Sequence, residues 1–376
     1  MVGRLMKTRI PVSEPYITKS DVDFVSKILR EKQVSGRAPV VKEFEAAFAK
    51  YLGTHHAMAC SSGTSALHLA VKALGLRDGD EVIVPTFTMM SPILALLYER
   101  LTPVLVDVDR RYWVSRADQI MKKITSRTRA ILIVHTYGNP AFPLEVSKIA
   151  KKNGLYLIED CAEAMGATCD TRKTGTFGDV STFSLFANKL ITSGEGGLVC
   201  TSNDSIAERI NGLRDLMFGK ENKFLHEGIG YNYRMSALQA ALALSQLGRV
   251  DLHLKKIRGI AKSYHDLLST ESGLQLHQEV PGSIGAYWMY SVLIGNSART
   301  KGVISELHQA GIETRPFFVP AHRQPVMKSF KSGRFPVSDY ISKRGINLPS
   351  GLSLKEQQIE YVCDCLRRAL ARPIKV

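Results

Sequence analysis

AILIVHTYG at residues 130–138 and GLYLIED at residues 154–160 are the stretches on which the fold turns. Each is a short run of aliphatic and β-branched residues closed by polar or glycine punctuation, the signature of a strand. Toward the N-terminus, EVIVPTF (81–87) and PVLVDVD (103–109) have the same form. Helical patterns precede them: Val41, Phe44, Ala47, Phe48 and Tyr51 fall at helical spacing, and Ser65–Leu74 reads as a second helix. Strand-like runs alternating with helical patterns predict an α/β fold with a large, mostly parallel sheet. Toward the C-terminus, Asp179–Phe186 and Gly197–Cys200 flank a polar, glycine-rich segment and read as strand, loop, strand. Met235–Leu254 reads as a long helix, continued by the basic Val250–Tyr264, and a domain boundary is expected within it. YWMYSVLI (287–294), a helix near Lys301–Ala310 and a closing helix from Lys355 to Leu370 then suffice for a smaller α+β domain. The expected division is 1–250, with an N-terminal arm, and 251–376.

A chain of 376 residues, 44% hydrophobic and 23% charged, is long enough for roughly two self-sufficient cores and is not a disordered chain. The 50 Lys and Arg against 35 Asp and Glu give +15, which favours polyanionic partners. The basic residues come in scattered pairs, as on solvated helix faces, and neither a zinc finger nor an RRM motif is present, so no nucleic-acid partner is expected. The six cysteines include no CxxC pair, the pattern of reduced thiols in a cytoplasmic protein. MVGRLMKTRIPVSEP lacks the apolar core of a signal peptide. Val82–Tyr98, the longest uncharged stretch, is too short and too interrupted by proline to span a bilayer, so no membrane partner is expected.

Ligands of open α/β sheets bind at the carboxyl ends of strands. Asp160 closes GLYLIE and is either a helix cap or a carboxylate kept ionised by a buried cation. Lys189 stands between an apolar run and a glycine-rich turn; it is either a solvated amine or one desolvated enough to form a Schiff base. Ser62-Gly63-Thr64-Ser65 opens a helix, as a simple N-cap or as a phosphate cradle. Neither GxxxxGK[ST] nor GxGxxG occurs, since Gly228-Ile229-Gly230 is followed by Tyr233 at the third glycine position, which removes the main support for ATP or NAD. His135, His55-His56 and His322 are scattered without HExxH or Cys/His spacing, so no metal is expected, and no GxSxG elbow marks a hydrolase. A phosphate cradle, a strand-end Asp and, about thirty residues later, a desolvated Lys together fit pyridoxal 5'-phosphate (PLP), which needs an anion site, an amine and a carboxylate for its pyridine nitrogen.

CSSGTSALHLA (60–70), GDEVIVPTFT (79–88), VHTYG (134–138), LIEDCAEAMGA (157–167), GTFGDVSTFSLFANKLITSGEGG (175–197), GYNYRMSALQAALALSQL (230–247) and GIETRPFFVPAH (311–322) resemble the DegT-type nucleotide-sugar aminotransferases. The likeness runs from IPVSEP (10–15) to RGINLPS (344–350) and implies the fold-type I PLP aminotransferase architecture. Within the family, EDCAEA (159–164), the loop 186–197 and the paired RPFFVPAH and RGINLPS are most similar to members that pass an amino group from L-glutamate to C4 of GDP-4-keto-6-deoxymannose, giving GDP-perosamine and 2-oxoglutarate. A UDP- or dTDP-linked keto-sugar is the alternative substrate, and a non-catalytic regulator that binds nucleic acid is the remote one.

The resemblance implies that Lys189 carries PLP and shuttles the proton, that Asp160 pairs with the pyridine nitrogen and that Phe87 stacks on the ring. It further implies that Gly63, Thr64 and Ser184 hold the phosphate, that Glu163 lies near the cofactor hydroxyl, and that Asn232 reaches the phosphate from the other subunit of a homodimer with shared active sites. Arg315 and His322 would border the sugar-nucleotide pocket. A lysine at 189 also speaks against the related 3-dehydratases, which can carry His there. Ala187, Ser193 and Ser62 replace the commoner Gly, Thr and Asn without loss of cofactor binding, whereas Gly219–Glu227 (GKENKFLHE) lacks the aromatic-rich stretch of many perosamine-forming members and leaves the nucleotide open.

Overall fold

The computed structural model describes residues 9–372 apart from 220, 223, 331 and 332. The first eight residues of the stretch read against a signal peptide, and Lys220 and Lys223 within Gly219–Glu227, therefore lie outside the described residues.

Strands β1 (His56–Cys60), β2 (Glu81–Pro85), β3 (Thr102–Val106), β4 (Thr128–Val134), β5 (Tyr156–Asp160), β6 (Val180–Ser184) and β7 (Gly197–Thr201) form a seven-stranded sheet in the order β1-β7-β6-β5-β4-β2-β3. From β6 through β5, β4 and β2 to β3 every pairing is parallel, and β7 runs antiparallel to both neighbours. The mostly parallel sheet expected from the sequence is therefore observed. All five residues of β2, β6 and β7 are buried, as expected when helices cover both faces. The alternation along each strand assigns the faces. Val82, Val84, Leu132 and Ile158 pack with the helices Gly63–Ala73, Ser91–Tyr98 and Asp204–Arg214, whereas Ile83, Ile131, Ile133 and Leu157 pack with Pro143–Lys152. Near β7 the second face is covered by Pro39–Leu52 and Ala237–Leu247.

A second, four-stranded antiparallel sheet takes Leu274–Leu276, Tyr290–Ile294, Gly345–Leu348 and Arg315–Pro316 in that order. It packs against the helices Val250–Leu268, Ser297–Gln309 and Glu356–Ala371. The single long helix expected from Met235 onward is two helices, Ala237–Leu247 and Val250–Leu268. Gly248, a poor helix former, stands at the break. Beside it Arg249 leaves helical geometry (φ −117°, ψ 8°), and its Nη2 donates to Asp21 Oδ1 at 2.6 Å. Asp21 is fully buried; it also accepts from Ser245 Oγ at 2.6 Å and from the Thr18 backbone N–H at 2.8 Å. One carboxylate thereby fastens the start of the helix Lys19–Arg30 to the break.

Candidate active site

A cavity of about 440 Å³ opens where β4, β5 and β6 end and the chain leaves β1 and β2, a volume suited to a small organic ligand. Among the expected site residues, Gly63, Thr64, Asp160, Glu163, Ser184, Lys189 and Arg315 line it. They arrive from five places in the chain: the topology of the large sheet gathers all but Arg315 at one of its edges, and Arg315 joins them from the four-stranded sheet.

The cradle is built at the N-terminus of the helix Gly63–Ala73. Ser62 caps it, accepting from the Ser65 N–H at 3.0 Å, and Ser65 Oγ accepts in return from the Ser62 N–H at 2.9 Å. A Cβ on Gly63 would lie 2.9 Å from Ser184 Cβ, and one on Gly197 would lie 2.4 Å from the Ser62 carbonyl oxygen. Glycine at both positions lets the helix start approach the ends of β6 and β7, so hydroxyls and free N–H groups face one point.

Asp160 and Glu163 meet the cavity from β5 and the turn after it. Asp160 Oδ1 accepts from the Ala162 N–H at 2.9 Å; burial raises its carboxyl above the ordinary range, against that bond and the nearby Lys189 and His135. Burial pushes Glu163 up to about 7, with Lys189 and the Tyr137 N–H opposing. That N–H donates to Glu163 Oε2 at 2.7 Å from a residue with φ 54°, in the left-handed region. A fully buried aromatic residue in that conformation is strained by about 1–3 kcal/mol, held by the surrounding packing. Lys189 stands within the loop after β6, whose shape is set by Thr192 Oγ1 and the Ser193 N–H on the Leu185 carbonyl and by Gly194 at φ 80°. Burial lowers its amine from the usual lysine range, Glu163 and Asp160 raise it, and Arg315 lowers it again.

Three expected residues lie elsewhere. Phe87 is fully buried among Tyr137, Phe317 and Phe318 and does not line the cavity, because β2 ends at Pro85 and the chain bends; Thr88 and Met89 form the wall instead. His322 is a clamp: Nδ1 lies 2.8 Å from Thr86 Oγ1 and Nε2 3.1 Å from Asp339 Oδ1, which docks the turn after Arg315 onto the end of β2. Asn232 is exposed, bridged to Asp215, and off the cavity.

Sequence reasoning also passed over Trp288 and Phe318 in the wall, and Glu159 behind it. Strand alternation alone turns Glu159 to the face opposite Asp160. Its Oε1 accepts from the Phe177 and Gly178 N–H groups, both at 2.7 Å, and its Oε2 from the Gly175 N–H at 2.9 Å. His135 Nδ1 accepts from the Ala141 N–H, so Nε2 carries the proton and donates to Glu159 Oε2 at 3.1 Å. His135, Glu159 and Cys161 offer ligand atoms within 4.8 Å of one another, but both His nitrogens and both Glu oxygens are engaged in these bonds.

The residues present fit PLP. A buried amine of lowered basicity, a strand-end carboxylate and a hydroxyl-lined helix start converge, and on the same wall Thr88 Oγ1 and Asn188 Oδ1 are buried polar atoms without a hydrogen-bond partner.

Residues 15–367 match the DegT/DnrJ/EryC1/StrS aminotransferase family. The chain is 39% identical over 357 residues to the GDP-perosamine synthase of Escherichia coli O157:H7, covering 95% of this chain and 97% of that protein. It is 34% identical over 340 residues to the dTDP-3-amino-3,4,6-trideoxy-alpha-D-glucose transaminase of Streptomyces venezuelae, covering 89% and 88%. The crystal structure of a variant of GDP-4-keto-6-deoxymannose-3-dehydratase with bound GDP-perosamine superposes with a TM-score of 0.89 at 26% identity, covering 95% of this chain and all of that one.

Proposed function

Since the chain belongs to the DegT/DnrJ/EryC1/StrS aminotransferase family, we propose that it moves an amino group from L-glutamate to C4 of GDP-4-keto-6-deoxymannose, giving GDP-perosamine and 2-oxoglutarate. It is a PLP-dependent sugar transaminase with the fold of that group. The finer substrate reading rests on one observation: the likeness to a GDP-perosamine synthase spans nearly the full length of both chains. The dTDP-sugar relative keeps a UDP- or dTDP-linked keto-sugar as the second reading.

When bound, PLP supplies an electron sink that makes a proton labile on the carbon bearing the amino group. In our reading Lys189 Nζ, its basicity lowered by burial, moves the proton between the cofactor carbon and the sugar C4. Asp160 would bind the pyridine nitrogen, whose positive charge offsets the cost of burying the carboxylate. Gly63, Thr64 and Ser184 would hold the phosphate, and Glu163 would hydrogen-bond beside the ring. Met89 would cover the ring face first assigned to Phe87, because Met89 is the residue on the wall. Arg315 would meet substrate anions. His322 would act by fixing the turn that follows Arg315. Asn232 would serve the active site of a second copy in a homodimer, and the chain would divide into a cofactor-binding unit, 1–250, and a small unit, 251–376. All six cysteines are buried and unpaired, which suits a cytoplasmic enzyme. Among the described residues no helix is long and apolar enough to cross a membrane.

The test is the absorbance of the PLP-loaded protein before and after glutamate and then each keto-sugar. The visible band should bleach with glutamate and return with the GDP-linked sugar. Return only with a UDP- or dTDP-linked sugar would move the assignment to the second reading. Lys189→Ala should abolish both the band and turnover, and retained turnover would refute the role of Lys189.

A further inference from the structure

Trp288 belongs to the segment that enters the small sheet, about a hundred residues from the loop that carries Lys189, yet it touches two consecutive residues of that loop. Its Nε1–H donates to the Asn188 carbonyl oxygen at 2.9 Å, and Lys189 Nζ lies 3.7 Å from the centre of its ring. Tyr137 stacks at 6.3 Å and 19°, and the Tyr137 N–H in turn binds Glu163. The chain reaches this place through Tyr287 at φ 49°, a left-handed conformation that a bulky residue adopts only when its surroundings enforce it. Together with Asn188 and Lys189, Trp288 lines both the main cavity and a smaller one walled by Ser13, Glu14 and Tyr16 of the N-terminal arm.

We propose that Trp288 is a positioning residue for the transamination: its ring face holds Lys189 Nζ as the ammonium it becomes once it has taken up the proton it transfers, while its N–H fixes the preceding peptide. A cation over an indole face is attracted by the ring quadrupole, most strongly where water is excluded. The lysine then waits, protonated, at one place beside the cavity, and returns its proton from there. The other groups acting on this amine are Glu163 and Asp160 from the β5 side and Arg315 from the small sheet. Glu195 lines the main cavity and Glu14 the smaller one. The indole favours the charged amine, whereas an apolar wall would only desolvate it.

The proposal rests on Lys189 as the reacting amine, but its test needs no turnover. In full-length protein loaded with pyridoxamine 5'-phosphate, which leaves Lys189 free, the rate of acetylation of that lysine by acetic anhydride is followed against pH by peptide mass spectrometry. In Trp288→Leu the midpoint should fall by about one pH unit, and Trp288→Phe should fall between. An unchanged or raised midpoint in a folded Trp288→Leu protein overturns the proposal. A second measurement leaves Trp288 in place: in a Trp113→Phe background its fluorescence should titrate with the Lys189 midpoint and lose that step in Lys189→Met. Fluorescence that ignores the lysine overturns the proposal as well. Failure of the sugar assignment would leave both readouts intact.

Discussion

Replacing Glu159 by Gln isolates the cost of a single polar hub beneath the site. The side chain is fully buried, and four donors converge on its two oxygens: Phe177 and Gly178 on one, Gly175 and His135 on the other. Glutamine preserves the shape and one acceptor oxygen. Its NH2 group must replace one oxygen or the other, so either orientation leaves two buried donors facing a donor. A switch of the His135 tautomer does not rescue the second orientation, because Nδ1 is needed as acceptor for the Ala141 N–H. At about 1–3 kcal/mol per unsatisfied buried donor the loss is roughly 2–6 kcal/mol. Urea unfolding of the cofactor-free protein, monitored by circular dichroism, would measure it against Asp266→Asn. That control removes the exposed pair with Lys262 and should cost less than about 0.5 kcal/mol. A loss below about 1 kcal/mol for Glu159→Gln, with unchanged slope, would refute the hub: the 175–178 loop would have found other acceptors.

Asp21→Asn should cost roughly 3 kcal/mol at pH 7, because it breaks a buried pair with Arg249 and turns an amide toward existing donors. Burial raises the Asp21 carboxyl, but the bonds from Ser245, Thr18 and Arg249 outweigh it and leave it below the usual range. Its contribution is thus lost as pH falls through that lowered value, so unfolding midpoints of the two proteins should converge only as the pH drops below the usual aspartate range, and a gap independent of pH would exclude the charge as its cause. For Glu163 the sign is opposite. A carboxyl raised to about 7 keeps in the folded state a proton that the unfolded chain releases above about pH 4.5, so its cost grows as pH rises from about 4.5 to 7. Glu163→Gln should therefore stabilise the cofactor-free protein by roughly 1–3 kcal/mol at pH 8 and by little at pH 4.5; equal effects at both pH values in denaturant titrations would refute the assignment.

What was legible in the sequence was whatever repeats locally or carries an ordered motif. The buried strands could be read because parallel strands covered on both faces are continuous apolar runs, and Asp160, Lys189 and the Ser62–Thr64 cradle because each stands where such a run ends. The role of Phe87 came from the resemblance and not from the chain's own pattern, and that pattern could not have checked it: alternation assigns a face only while the chain stays extended, β2 stops at Pro85, and the residue on the wall is Met89. Glu159 was overlooked although alternation does reach it, because a buried carboxylate on the far face looks costly until its partners are known, and three of those are backbone N–H groups of residues 175–178, which side-chain motifs do not encode. Trp288 was invisible in a stricter sense. Its partners are a carbonyl and an amine about a hundred residues away, brought to it by the packing of the small sheet's segments against the loop after β6. A hydrophobic-run reading of YWMYSVLI can see that the tryptophan is apolar, but the side of the indole that matters here is electrostatic. Motif reading thus locates the groups that react, while the groups that hold them in position depend on contacts between elements distant in sequence.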